Sequence, residues 1–223
     1  MRAWVTPRRD ARSGRRAARL RFYSSSISAD QCARNTPSQA SCKRRSRTGA
    51  ENFGWPVYQG FEHDPNYYGN VAYNMDAPNP LNGINGCNQP YFAFRDLITN
   101  PTHSGTVSYP NPCDTSQQIN DSSAIKFIHA RPEIDYSHNN ESRTGIWNGN
   151  IASQVDLDSA QSPVQGVRFG GFASVGGFWY TGDKMPMQYQ NSYFHCDYAS
   201  SWIKIFKFNA ADSPTVANHF ADN

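Results

Sequence analysis

Residues 170–209, GGFASVGGFWYTGDKMPMQYQNSYFHCDYASSWIKIFKFN, decide how the rest of the chain is read. Three runs rich in aromatic and β-branched residues, Gly177–Tyr180, Ser192–Tyr198 and Trp202–Phe208, are separated by Gly, Pro, Asp, Asn and Ser, the punctuation of short antiparallel strands. In the third run a two-residue period puts Trp202, Lys204, Phe206 and Phe208 on one face and Ile203, Ile205 and Lys207 on the other. Both faces carry apolar bulk. The strand is therefore expected between two layers, as in a propeller blade with neighbours on each side.

Working upstream, residues 61–124 are crowded with Asn, Pro, Gly and Tyr and poor in aliphatic side chains. A strand-built blade would need more of the latter, so this stretch is expected as a loop-rich, ordered surface insertion. Only Tyr91–Ile98 has enough apolar content for a short helix or strand. Cys87 and Cys113 both fall in the insertion, and a bridge between them would close a loop whose ordering it stabilises by roughly 3 kcal/mol. Such a bridge fits an oxidising, exported setting. Cys196 sits at a strand position and reads as a buried, inert thiol. No zinc-spaced Cys/His grouping and no apolar run of membrane-spanning length occurs.

Charge is split along the chain. Residues 1–50 hold 13 Lys and Arg against 2 acidic residues, whereas residues 51–223 hold 8 against 16. The expected folded part is acidic and would repel phosphate, so nucleic-acid binding would have to rest on the N-terminal arm alone. That arm lacks a sustained helical or strand period and reads as a disordered Arg-rich segment outside the fold. Its Arg-rich, acid-poor start also resembles an organelle transit peptide; no apolar run of a secretory signal is present.

Two segments carry a family resemblance. GGFWYTG at 176–182, Met185-Pro186, Tyr189, YFHCDY at 193–198 and WIKIF at 202–206 resemble the late-blade signature of the glucose/sorbosone dehydrogenase family. Upstream, Glu51-Asn52-Phe53-Gly54-Trp55-Pro56, followed by Val57-Tyr58-Gln59-Gly60, resembles that family's Asn-Tyr-Gly-Trp-Pro turn. The resemblance covers most of residues 51–209 and nothing before 50. It implies a six-bladed β-propeller that oxidises a sugar hydroxyl or hemiacetal with pyrroloquinoline quinone (PQQ) and Ca²⁺, in a secreted or periplasmic parent.

A six-bladed ring needs about 250–300 residues at roughly 40–50 per blade, and this chain has 223. The expectation is thus an all-β fold, a partial six-bladed β-propeller of about one to two blades over 51–223. Because family-like sequence starts abruptly at Glu51, the reading frame is expected to be interrupted or wrongly started.

By the same resemblance, Ser174-Val175-Gly176-Gly177 matches the place where the family backbone approaches the quinone, and Phe53 the position whose backbone carbonyl meets Ca²⁺. A plainer role for Gly176 and Gly177 is to relieve a tight start to the strand. Several family features are absent: the early-blade catalytic histidine, the Gly-His-Arg-Asn-Pro-Gln segment, an acidic calcium partner within residues 39–43, and a lysine near Ala199 or Ser200. No catalytic residue is assigned, and this chain alone is expected to be inactive. The alternative is a non-catalytic extracellular propeller that binds carbohydrate or a surface partner.

Other constellations stay open between two roles. In IHARPEIDYSH, alternation puts His129, Arg131 and Asp135 on one side and His138 on the other, suiting a metal or a base, or else surface-loop histidines with a structural Asp135. The spacing matches no ligand template, which favours the structural role. His195 reads as a satisfied core histidine, and Asp197 as an acceptor of turn hydrogen bonds. Trp55, Trp147, Trp179, Trp202, Tyr58, Tyr67 and Tyr68 offer either sugar-stacking faces or packing between sheets.

Overall fold

Alternation in Trp202–Phe208 becomes burial in the computed structural model, which describes residues 3–9, 16–20, 52–120, 124–209 and 213–222, with side chains between residues 52 and 220. Trp202 and Phe206 enter the main core, and Ile205 is buried on the opposite face. Around this strand lies an antiparallel meander, Ser174–Tyr180, Ser192–Asp197, Trp202–Phe208 and Pro214–Asp222. Gln165–Gly166 adds a short parallel edge beside Val216 and Ala217. The fourth strand goes beyond the three expected from sequence. The first begins at Ser174 rather than Gly177, and Tyr198 belongs to the turn that follows the second.

A second antiparallel sheet runs in the order Ile151–Asp156, Ser142–Asn148, Ile134–Tyr136, Ala3–Arg9, Arg16–Leu20. The last two strands form a hairpin that pairs with Ile134–Tyr136. The rest of the expected basic arm lies outside the described residues. Ile134 and Tyr136 point into the first sheet, where they join Leu157, Val164, Phe169, Tyr193, Trp202, Phe206 and Ala217 in one core. Tyr136, Phe169 and Trp202 meet edge to face or tilted, with centroids 5.3–5.5 Å apart, geometries that suit aromatic quadrupoles.

The described residues of the stretch 61–124 have a small core of their own: Ala77, Phe92, Leu97, Tyr109, Ile119 and Ala124. Tyr91–Ile98 supplies a strand, Tyr91–Ala93, and a 3₁₀ turn, Phe94–Leu97. Asp96 caps that turn by accepting from the Ala93 N–H. The expected Cys87–Cys113 disulfide is present, flanked by Asn79 and Asn111, which bond to each other at 3.0 Å. Ile98–Thr99 pairs in parallel with Phe127–Ile128 and anchors the insertion to the rest of the chain.

Strand makes up 44% of the described structure and helix 7%, so the fold is all-β, and among the described residues no sheet closes into a barrel. No helix among the described residues is long and apolar enough to cross a membrane. The disulfide closes a loop with a sequence separation of 26. Replacing both cysteines by serine is expected to lower the unfolding free energy by about 3 kcal/mol in a urea titration.

Candidate functional site

Asp135 follows the parity of its strand. Its neighbours Ile134 and Tyr136 face the core, so Asp135 faces the other way, toward the turn Val57–Phe61. It is fully buried and would be costly there without partners. Arg143, on the adjacent strand opposite Asp135, supplies them as a fork: Nε donates to Oδ1 at 3.0 Å and Nη2 to Oδ2 at 2.7 Å. Its remaining nitrogen, Nη1, reaches Glu62 Oε1 at 2.6 Å. The Phe61 N–H also donates to Asp135 Oδ2. Gly60, at φ +68°, lets the backbone come this close, since a Cβ would overlap the carboxylate.

Beside this ion pair stands a column of four rings. His129 stacks on Tyr58 with centroids 4.0 Å apart, Tyr58 meets His63 at 4.4 Å, and His63 stacks on Tyr68 at 3.8 Å. The column runs from the interior to the surface. His129 is 1% exposed, and Tyr68 is 39% exposed. Arg95 caps the outer end, its guanidinium 5.7 Å from the Tyr68 centroid and its Nη1 bonded to the Tyr68 carbonyl. Next to it, Trp55 and Tyr67 meet edge to face at 5.3 Å. Tyr67 and Tyr68 ride on the single helical turn Pro65–Gly69, started by Asp64, whose side chain accepts from the Asn66 and Tyr67 N–H groups.

Burial sets the ionisation of this column. It lowers His129 to about 3, with help from Arg131 and His63 and against the Phe53 carbonyl, which favours a proton on the ring. His129 Nδ1 lies 3.0 Å from Asn100 Oδ1, while Nε2 is buried without a well-formed hydrogen bond. Burial likewise lowers His63 and raises Tyr58 to about 12.

Between the two sheets lies a second polar cluster. His195 is fully buried, with Nε2 3.1 Å from both Tyr136 Oη and Ser174 Oγ. Tyr136 Oη also donates to Asp197 Oδ2, which accepts from the Ala173 N–H, while Oδ1 accepts from the Ser200 N–H. The satisfied core histidine and the turn-bonded aspartate are both as the sequence suggests. Burial pushes the Tyr136 hydroxyl far above its ordinary range, so it donates rather than ionises.

Ser174 is the buried start of an edge strand and Val175 is the extra residue of a β-bulge opposite Asp197 and Cys196. Gly177 lies against the neighbouring strand, where a Cβ would overlap the Phe194 carbonyl oxygen. The Phe53 carbonyl acts on the His129 ring. Among the described residues no three His, Cys, Asp or Glu side chains converge to hold a metal ion. The Ser174 hydroxyl is engaged inward with His195.

In IHARPEIDYSH, Asp135 is structural, but His129 is a core residue rather than a surface one, because Tyr58 and Asn100 cover it. His138 is exposed and stacks on Phe172 at 4.6 Å. Cys196 is half-buried rather than buried, and burial raises its thiol pKa. The seven aromatics divide. Tyr58, Trp179 and Trp202 pack in or against cores, while Trp55, Tyr67, Tyr68 and Trp147 keep exposed faces. Arg143, Glu62, Arg95 and Tyr136 escape the sequence reading, since only register places them beside Asp135, Tyr68 and His195.

Two outcomes test these assignments. Replacing Arg143 by Met removes the cation that neutralises the buried Asp135 carboxylate, and is expected to cost about 3–5 kcal/mol by chemical denaturation. His129 takes up a proton on unfolding below its ordinary value of 6.5 but resists it in the fold down to about 3. Its contribution is therefore intact above that window and falls by about 1.4 kcal/mol per pH unit as pH drops through it. Denaturant titrations of wild type and His129→Gln across this range should differ in slope by that amount.

No family model, curated protein or solved structure matches this chain.

Proposed function

We propose that this protein binds carbohydrate through Trp55, Tyr67 and Tyr68, on a scaffold of stacked antiparallel sheets of the glucose/sorbosone dehydrogenase type. One observation carries the reading: three aromatic rings 43%, 49% and 39% exposed, Tyr67 and Tyr68 on the helical turn and Trp55 packed against Tyr67, are held by edge-to-face and stacked contacts instead of being buried. A preorganised aromatic face matches the apolar C–H side of a pyranose and loses little freedom on binding. Exposed Asn66 and Asn70 on the same turn add hydrogen-bonding groups for sugar hydroxyls. The exposed rings sit beside the anchored column, so a ligand meets a rigid surface.

A second reading rests on the resemblance of 51–60 and 170–208. In it, the C-terminal meander is one blade of a six-bladed propeller and the neighbouring sheet part of the next. The whole then serves a secreted or periplasmic enzyme that oxidises a sugar hydroxyl or hemiacetal with PQQ and Ca²⁺. The four-stranded shape of the meander supports a blade; the inward engagement of Ser174 and the partners of the Phe53 carbonyl favour binding without oxidation.

Tryptophan fluorescence titrations with a panel of neutral and uronic oligosaccharides separate the two. Saturable binding that weakens about tenfold in Trp55→Ala and Tyr67→Ala, a loss of roughly 1.4 kcal/mol each, is the expected result. Binding unaffected by either change, or none to any sugar, would sink the first reading. Quinone absorbance retained after PQQ and Ca²⁺ are added, with sugar-dependent dye reduction, would establish the second.

A further inference from the structure

The loop Leu81–Cys87, LNGINGC, holds two Asn-Gly pairs, Asn82-Gly83 and Asn85-Gly86, both exposed. Asn-Gly is the dipeptide in which the following amide nitrogen most readily attacks the Asn side-chain carbonyl, because glycine has no Cβ in the way. In that reaction the Gly N–Cγ bond forms and ammonia leaves, carrying the amide nitrogen away. Water then opens the resulting succinimide to aspartate or isoaspartate. No oxidant or other reactant is needed. The nucleophile is the glycine N–H, so its hydrogen bonding decides which pair reacts.

Here the two pairs differ. The Gly83 N–H donates to the Cys87 carbonyl at 2.8 Å, and the Asn82 N–H to the Asn79 carbonyl at 3.1 Å. Ile84 N–H bonds to Leu81 and Cys87 N–H to Ile84. Within this lattice of turns the Gly86 N–H makes no hydrogen bond; the space where a Cβ would stand is empty at Gly83 and Gly86 alike, so the glycine N–H is what separates the two pairs. A third pair, Asn148-Gly149, closes a hairpin in which Asn148 is a strand residue held opposite Ile151.

We infer that Asn85 is a spontaneous modification site: it converts to aspartate and isoaspartate in the folded protein, ahead of Asn82 and Asn148. The products add a negative charge and, in the isoaspartate, one backbone methylene two residues before Cys87. The change thus falls inside the loop that the Cys87–Cys113 bridge anchors.

Peptide mapping by mass spectrometry, after incubation of the full chain at mildly alkaline pH, tests this. Asn85 should deamidate about fivefold faster than Asn82, the ratio given by one net hydrogen bond of about 1 kcal/mol. Asn85→Gln should remove the leading product, with the Asn82 rate unchanged. In reduced, denatured protein the two rates should converge, which separates protection by the fold from intrinsic reactivity. Equal rates in the folded protein, or Asn82 or Asn148 reacting first, would overturn the inference.

Discussion

The buried pair of Asp135 and Arg143 is the constraint on which the layering depends. A carboxylate with no solvent access must be matched by donors of fixed geometry, and the guanidinium fork provides two of them in parallel. The pair lies across adjacent strands of one sheet, so it fixes their register. The third donor, the Phe61 N–H, comes from 74 residues earlier in the sequence and ties the N-terminal turn to the same carboxylate. Slipping Ile134–Tyr136 by one residue would send Asp135 into the aromatic core and expose Tyr136. Such pairs add less to stability than they take away when broken, and their larger effect is on which arrangement forms.

From that strand the chain builds outward in two directions. One face meets the C-terminal meander through Tyr136, whose hydroxyl joins His195 and Asp197 in a network with no exposed member. The other meets Phe61, which also lies under the Arg131 guanidinium at 4.7 Å. The ring column from His129 to Tyr68 then carries order from the interior to the helical turn at the surface. The exposed rings are therefore extensions of the core, and their rigidity comes from what lies beneath them.

Much of this architecture is legible in the residues, and the missing parts share a cause. Strand positions at 192–208, the ordered insertion, its disulfide and the roles of His195 and Asp197 follow from period, turn chemistry and composition, which are local. The strand Pro214–Asp222 has no local signature, because Thr215, Asn218 and His219 interrupt the apolar alternation, and pairing with Trp202–Phe208 holds it. His129 reads as a loop histidine until Tyr58 and Asn100 are brought over it from distant stretches. Arg143 sits in a run, SRTGIWN, that gives no sign of a buried charge. Its meaning depends on the carboxylate across the hairpin. Gly177 shows the reverse case, where the plainer role of close strand approach accounts for the glycine.

The meander at the C-terminus joins each strand to the next in sequence, so its pairing closes only short loops. Stacking it on the neighbouring sheet is a different matter: the bond from Tyr136 to His195 spans 59 residues, and that from Phe61 to Asp135 spans 74. The entropy lost in closing such spans must be met before the distant contacts repay it. The pairings of the four-stranded unit thus lose less chain entropy on forming than the contacts that dock the layers onto it. Until they dock, the Tyr193, Trp202 and Phe206 side is a bare hydrophobic wall, the surface through which a half-assembled chain would stick to others.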